Sequence, residues 1–252
     1  MSLAVLALAQ ITALDFNLTL RFSQQLILFL APFLAYNFIK FHRFFWNGIV
    51  LKINRVFFLS GLTMFSILFL VGVGLQLPVS SLIILLVTFL LVLLYCLPLP
   101  GFGLNLRGFK GLKIHLVALS WVLTTVFLPL SMEGQNITDL PLVYGFQRYL
   151  FVLAATLPFE IRDLELDDPH LSTWPQKWGV PRTRLLGGVL LMFFVFLEIY
   201  CALSTDVFLV LGIAILLLGL ILKSKEDQSK YFSSFWVEGI PILWLILKYL
   251  TI

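Results

Sequence analysis

The segment Glu160-Ile-Arg162-Asp163-Leu-Glu165-Leu-Asp167-Asp168 runs straight out of the apolar stretch Leu142 to Phe159. Only 12% of the chain is Asp, Glu, Lys or Arg, so five carboxylates in nine residues stand apart from everything around them. At about 100° per residue, Glu160, Asp163 and Asp167 fall on one helical face, and Glu165 points elsewhere. Three carboxylates on one face make a ligand set for a hard divalent cation such as Mg²⁺ at a membrane border. The plainer alternative is a solvated loop that ends a membrane helix.

The cations that could face this set lie in other loops. Arg107, Lys110 and Lys113 precede an apolar segment that begins at Ile114, and Lys40, Arg43, Lys52 and Arg55 surround the end of another near Phe41. Carboxylates that bind Mg²⁺, opposite guanidinium and ammonium groups, are the equipment for a diphosphate. Charge neutralisation eases its departure, while an apolar tail lies between helices away from water. Basic residues at membrane-helix ends also act simply as anchors. His42, His115 and His170 are scattered without ligand spacing. Glu198 and Glu238 stand inside apolar segments, where an ionisable group is costly and points to function; Glu238 can equally mark a helix start.

The elements that must position these groups are membrane helices. Hydrophobic residues make up 60% of the 252 positions, with a mean hydropathy of +1.03. Apolar runs near the ~20 residues that cross a bilayer recur at Leu26 to Phe41, Val56 to Val73, Leu82 to Leu97, Ile114 to Leu130, Leu142 to Phe159, Leu185 to Leu203, Val207 to Leu222 and Phe235 to Leu250. They are apolar all round rather than alternating, which excludes a barrel and leaves helices. Ser2 to Leu14 is apolar but too short to span, and reads as a shortened first helix. The fold class is therefore an all-α, polytopic membrane bundle of about nine helices, a single intramembrane domain over residues 1–252, since no linker divides it.

Of the 17 Lys and Arg residues, all but Arg21, Arg148 and Lys248 fall in the even-numbered loops and adjoining helix ends. That bias assigns these loops to the cytoplasmic side, and the acidic run shares their face. The charge of +4 is dispersed, so membrane lipids and not nucleic acid are the partners it implies. Cys96 and Cys201 lie in apolar segments and imply no disulfide.

Glu160 to Asp167, followed by Thr173-Trp-Pro175-Gln-Lys177-Trp-Gly179, resembles the second aspartate-rich motif of the UbiA superfamily of intramembrane prenyltransferases, DxxDxxxD leading into TxPxxxG. Glu160 replaces the usual first aspartate. Tyr95-Cys-Leu-Pro98, then Arg107, Lys110 and Lys113, is similar to the loop between the family's fourth and fifth helices. The resemblance implies transfer of a polyprenyl group from a prenyl diphosphate to a lipid-phase, aromatic acceptor. It places Mg²⁺ on Glu160, Asp163 and Asp167, with Asp163 and Asp167 as catalytic residues. The diphosphate falls to Arg107, Lys110, Lys113, Arg43 and Asn37. The family's first motif, NDxxDxxxD, departs here: Asn37 is present, but Phe38, Phe41 and Phe45 stand where aspartates belong. Losing those acids makes a second Mg²⁺ hard to hold. It motivates an alternative, a non-catalytic relative, metal-free, that binds an isoprenoid lipid or serves as a membrane partner of another protein. A transporter, motivated by Glu198, is a third reading.

Overall fold

The computed structural model describes residues 1–46, 53–97, 106–203, 206–229 and 231–251, side chains excepted at 41–46 and 53–62. Among these residues there are nine helices and no strand: α1 (Ser2–Asp15), α2 (Phe22–Trp46), α3 (Ile53–Gly74), α4 (Val79–Cys96), α5 (Leu112–Met132), α6 (Asp139–Arg162), α7 (Trp174–Cys201), α8 (Val207–Lys223) and α9 (Phe232–Thr251). Lipid offers the backbone no hydrogen bonds, so each apolar run satisfies its own N–H and C=O groups by coiling. Six of the helices are long and apolar enough to cross a membrane, and this is an integral membrane protein. The first helix is short, at 14 residues.

Burial sorts the helices into inner and outer ones. In α5 and α6, 61% of the spanning window is enclosed, against 17% in α4. The outer faces carry Met64, Phe65, Phe193 and Phe208, all exposed, a surface suited to acyl chains. Phe151 of α6, Phe194 of α7 and Trp244 of α9 meet at ring-centroid distances of 5.4 to 6.1 Å and form the centre of the main core. Gly187 lets α7 close on its neighbours: a Cβ there would stand 2.9 Å from Ile221 and 3.0 Å from Leu157.

A charged network is sealed inside the same core. Tyr144 Oη donates to Asp15 at 2.7 Å, Lys248 pairs with the other Asp15 oxygen, and Arg148 donates to Tyr144 Oη at 2.7 Å and to the Leu8 carbonyl at 3.2 Å. Arg148 also lies over the Tyr144 and Trp244 rings. Arg148 and Lys248, two of the three cations outside the basic loops, are both buried and tie α1, α6 and α9 together. Beside them Gln147 donates to Glu198 at 2.7 Å, so Glu198 is also enclosed.

The connections at one end of the bundle hold one another. Gly111, at φ 73°, donates its N–H to the Leu171 carbonyl at 2.9 Å, joining the turn before α5 to the turn after α6. Gln228, ahead of α9, donates to the Pro158 carbonyl of α6 at 2.6 Å, and Arg184 of α7 donates to the Ser224 carbonyl. Helix α7 kinks at Gly179, whose φ of 74° and ψ of 165° leave the helical region just ahead of Pro181.

Candidate functional site

Helix α6 stops at Arg162, and Asp163 is its C-cap. Aspartates are poor helix formers, and Pro169 disfavours a helical Asp168, so the acidic run closes into turns with Asp167 N–H donating to the Asp163 carbonyl at 2.8 Å. This corrects the one-face reading of Glu160, Asp163 and Asp167, because helical spacing ends before the second of them. The turns are fixed from behind by the TxPxxxG stretch. Gln176 accepts from Thr173 N–H at 2.9 Å and donates to the carbonyls of Asp167 at 3.2 Å and Asp168 at 3.3 Å.

The carboxylates divide between two cations. Lys113, in the first turn of α5, bridges Glu160 at 3.0 Å and Asp167, whose other oxygen lies 3.6 Å from Arg107. Asp163 instead takes a two-pronged contact from Arg162, at 2.7 and 3.0 Å. The remaining Arg162 nitrogen donates to Ser233 of α9 at 2.8 Å. Among the described residues no group of three His, Cys, Asp or Glu side chains is placed to hold a metal ion. Glu160 and Asp167 thus converge on one cation position, and Asp163 does not join them.

The local electrostatics argue that this pairing is not there for the helices. A cation at a helix N-terminus and an anion at a C-terminus both oppose the helix dipole, at about 0.3 to 1 kcal/mol each. Lys113 and Glu160 occupy those unfavourable ends, and all three groups are largely buried, with side-chain exposures of 14% for Lys113, 8% for Glu160 and 7% for Asp167. They answer to each other and to what lies beside them.

Beside them is a chamber of about 750 Å³ between α2, α4, α5, α6 and α9. Its charged groups are Lys113, Glu160, Arg162 and Asp163, with Tyr95 also on the lining; Phe38, Leu91, Trp121 and Phe151 supply apolar wall, and Trp121 and Phe151 lie eight and nine residues along α5 and α6 from Lys113 and Glu160. The hydroxyls along it, Thr88, Ser120 and Thr124, donate to carbonyls of their own helices, leaving the deep part without a strong free donor from these three. Phe38 therefore reaches the cavity; the side chains of Phe41, Phe45 and Arg43 lie outside the described residues. Asn37 Nδ2 is buried without a hydrogen-bond partner among the described residues, while its neighbours Tyr36 and Phe38 line the chamber. Lys110 is exposed on the turn leading to α5. His115 is taken up by Tyr149, at 2.5 Å.

This arrangement of helices has a solved counterpart. The structure of a UbiA homolog from Archaeoglobus fulgidus aligns over 98% of this chain and 94% of that one, with a TM-score of 0.61 and 13% sequence identity. The chain has a UbiA-type fold. No family model and no curated protein matches the sequence. Within the UbiA-type fold, two groups at the site carry little signal in the sequence. Arg162 counts there only as a loop cation, yet it occupies Asp163 and reaches the chamber; Ser233, its second partner, lies 71 positions away. The i, i+1 charge pair Arg162-Asp163 was the available hint.

Proposed function

We propose that this chain is a member of the UbiA superfamily that receives a prenyl diphosphate in the chamber and passes the prenyl group to a lipid-phase acceptor. One observation supports the reading most: the chamber is amphipathic along its length, with Lys113, Glu160, Arg162 and Asp163 at one end and hydrocarbon and aromatic walls beyond. That division matches a charged head joined to an isoprenoid tail. The apolar wall supplies burial at about 25 cal/mol per Å² of tail, and removes water from the carbon that reacts.

The donor set suits Mg²⁺, a hard cation that takes one or two carboxylates and completes its shell with water and substrate phosphate. Glu160 and Asp167 would hold it, as the Lys113 ammonium between them already marks a cation position. When bound, the ion supplies charge neutralisation for the departing diphosphate. The chain's own cations do the rest. Lys113, released from the carboxylates, and Arg107 present ammonium and guanidinium groups to phosphate oxygens, and the orphaned Asn37 amide offers one more donor. Lys110, exposed on the turn before α5, and Arg43 are the further diphosphate ligands that the resemblance implies. Asp163 acts through Arg162, fixing its guanidinium at the chamber mouth. The Lys and Arg distribution assigns this end to the cytoplasm.

Phe38 favours a second reading. An exposed phenyl ring lines the cavity where the family's first aspartate would stand, so a chain that binds an isoprenoid lipid without turnover fits the same walls. Reconstituted protein given labelled geranyl and farnesyl diphosphate with a panel of lipid-soluble aromatic acceptors separates the two. Transfer that requires Mg²⁺ and is lost in Asp167→Asn supports the enzyme; saturable binding with no product under any acceptor assigns the non-catalytic role.

A further inference from the structure

The chamber ends at one level on four helices. Its lining residues farthest from the charged groups are Val5 of α1, Ala31 of α2, Leu85 of α4 and Thr124 of α5. Within one helical turn beyond them stand Ala9, Leu28, Ile84 and Leu128, which with Ile27 pack into a buried apolar cluster of their own. Two clasps fix that cluster from the far side. The hydroxyls of Ser81 and Ser131, 2.7 Å apart, join α4 to α5, and Gln24 of α2 donates to Glu133, the residue after α5, at 2.8 Å. A plug packed at interior density yields little to a ligand that presses on it.

The distance from the charged groups to this floor follows from the helices. Arg107 lies over the Tyr95 ring at 5.9 Å, which sets Tyr95 at the charged end with Lys113. From Lys113 to Thr124 is 11 positions of α5, and from Tyr95 to Leu85 is 10 of α4, roughly 15 to 16 Å at 1.5 Å per residue. An extended prenyl chain advances roughly 5 Å per five-carbon unit, four chain bonds each projecting about 1.2 Å. About three units therefore span the chamber, and a fourth meets Ile84 and Leu128. From this match we infer that the plug of Ala9, Leu28, Ile84 and Leu128 measures the donor's tail, and that farnesyl is the longest prenyl group the chamber takes at full extension. The inference rests on the proposed function for the ligand being a prenyl diphosphate; it adds the length class of that donor and the residues that set it. These four act at the end of the chamber opposite the charged groups.

The test is a length series, geranyl, farnesyl and geranylgeranyl thiodiphosphate, with binding to nanodisc-embedded protein corrected for partition into empty nanodiscs. Forcing an extra unit against a packed floor should cost geranylgeranyl about tenfold or more in affinity relative to farnesyl. Ile84→Ala and Leu128→Ala each leave a cavity in the floor and should bring geranylgeranyl to within about threefold of farnesyl, with geranyl affinity unchanged. Ala31→Leu raises the floor and should move the preference to geranyl. Melting temperatures are recorded for each variant, and Ile84→Val, a smaller truncation, should give an intermediate ratio. Equal binding of farnesyl and geranylgeranyl by the wild type overturns the inference; that result is expected if surplus chain leaves past Ile67 and Phe89, which line the chamber and are exposed on its flank. A length preference that neither floor truncation nor Ala31→Leu moves overturns it as well. Failure of all three ligands to bind the wild type overturns the prenyl reading itself, a result distinct from binding that ignores length.

Discussion

Replacing Lys113 with Met probes the site at the point where its electrostatics converge. The ammonium serves two carboxylates, Glu160 at 3.0 Å and Asp167, and the three side chains are 14%, 8% and 7% exposed. Screening by water is therefore weak, and loss of one partner of a buried pair costs about 3 to 5 kcal/mol because the other is left charged and unpaired. Two facts adjust the figure in opposite directions. Arg107, 3.6 Å from Asp167, remains to compensate part of the charge; two like charges left facing each other add to the cost. Lys113→Met should lower the unfolding free energy by about 3 to 5 kcal/mol. The triple variant Lys113→Met/Glu160→Gln/Asp167→Asn, which removes the uncompensated charges as well, should recover most of the loss. Steric trapping in bicelles measures both. A single variant that loses less than about 1 kcal/mol, the scale of an exposed pair, or a triple variant no more stable than the single, would refute the bridge as the organising contact.

Mg²⁺ should restore stability to Lys113→Met, because the freed carboxylates accept the cation that the ammonium displaced; at about 100 times its Kd the gain is about 2.7 kcal/mol, and adding Glu160→Gln to the variant should abolish it. Asp15→Asn should cost about 3 to 5 kcal/mol in the same assay by stranding buried Lys248, yet leave prenyl diphosphate affinity unchanged, since Asp15 is remote from the chamber mouth. Gly187→Ala should cost about 1 to 3 kcal/mol by driving a methyl into Ile221 and Leu157, a loss that Ile221→Val should partly reverse.

The helices and the membrane were legible in the sequence because both follow from composition: an apolar run of sufficient length has few other ways to satisfy its backbone. The pairing of the acidic turn with the Arg107 to Lys113 loop was legible too, through charge and the likeness to a known motif, and the structure unites Asp167 with Arg107 and Lys113. The partition of the carboxylates was not. Helical arithmetic carries Asp163 and Asp167 onto the face of Glu160 only while the helix lasts, and it ends at Arg162, where the adjacent guanidinium captures Asp163. The buried network of Asp15, Tyr144, Arg148 and Lys248 was less legible still. Tyr144 and Arg148 stand an i, i+4 step apart, but Asp15 lies 129 positions from Tyr144 and 233 from Lys248, and no local pattern encodes such a meeting. A lone Lys near the end of an apolar helix reads as a membrane anchor until the tertiary structure shows it enclosed.

The central claim, that a prenyl tail fills the chamber with its diphosphate at the Lys113 end, is tested most directly by photo-cross-linking with a farnesyl diphosphate analogue bearing a benzophenone at its far end. Labelling should fall on the deep lining, at Leu91, Trp121 or Phe151, and disappear with excess unlabelled farnesyl diphosphate. Labelling confined to outward-facing residues such as Met64 and Phe65, or labelling that competitor leaves unchanged, would contradict it.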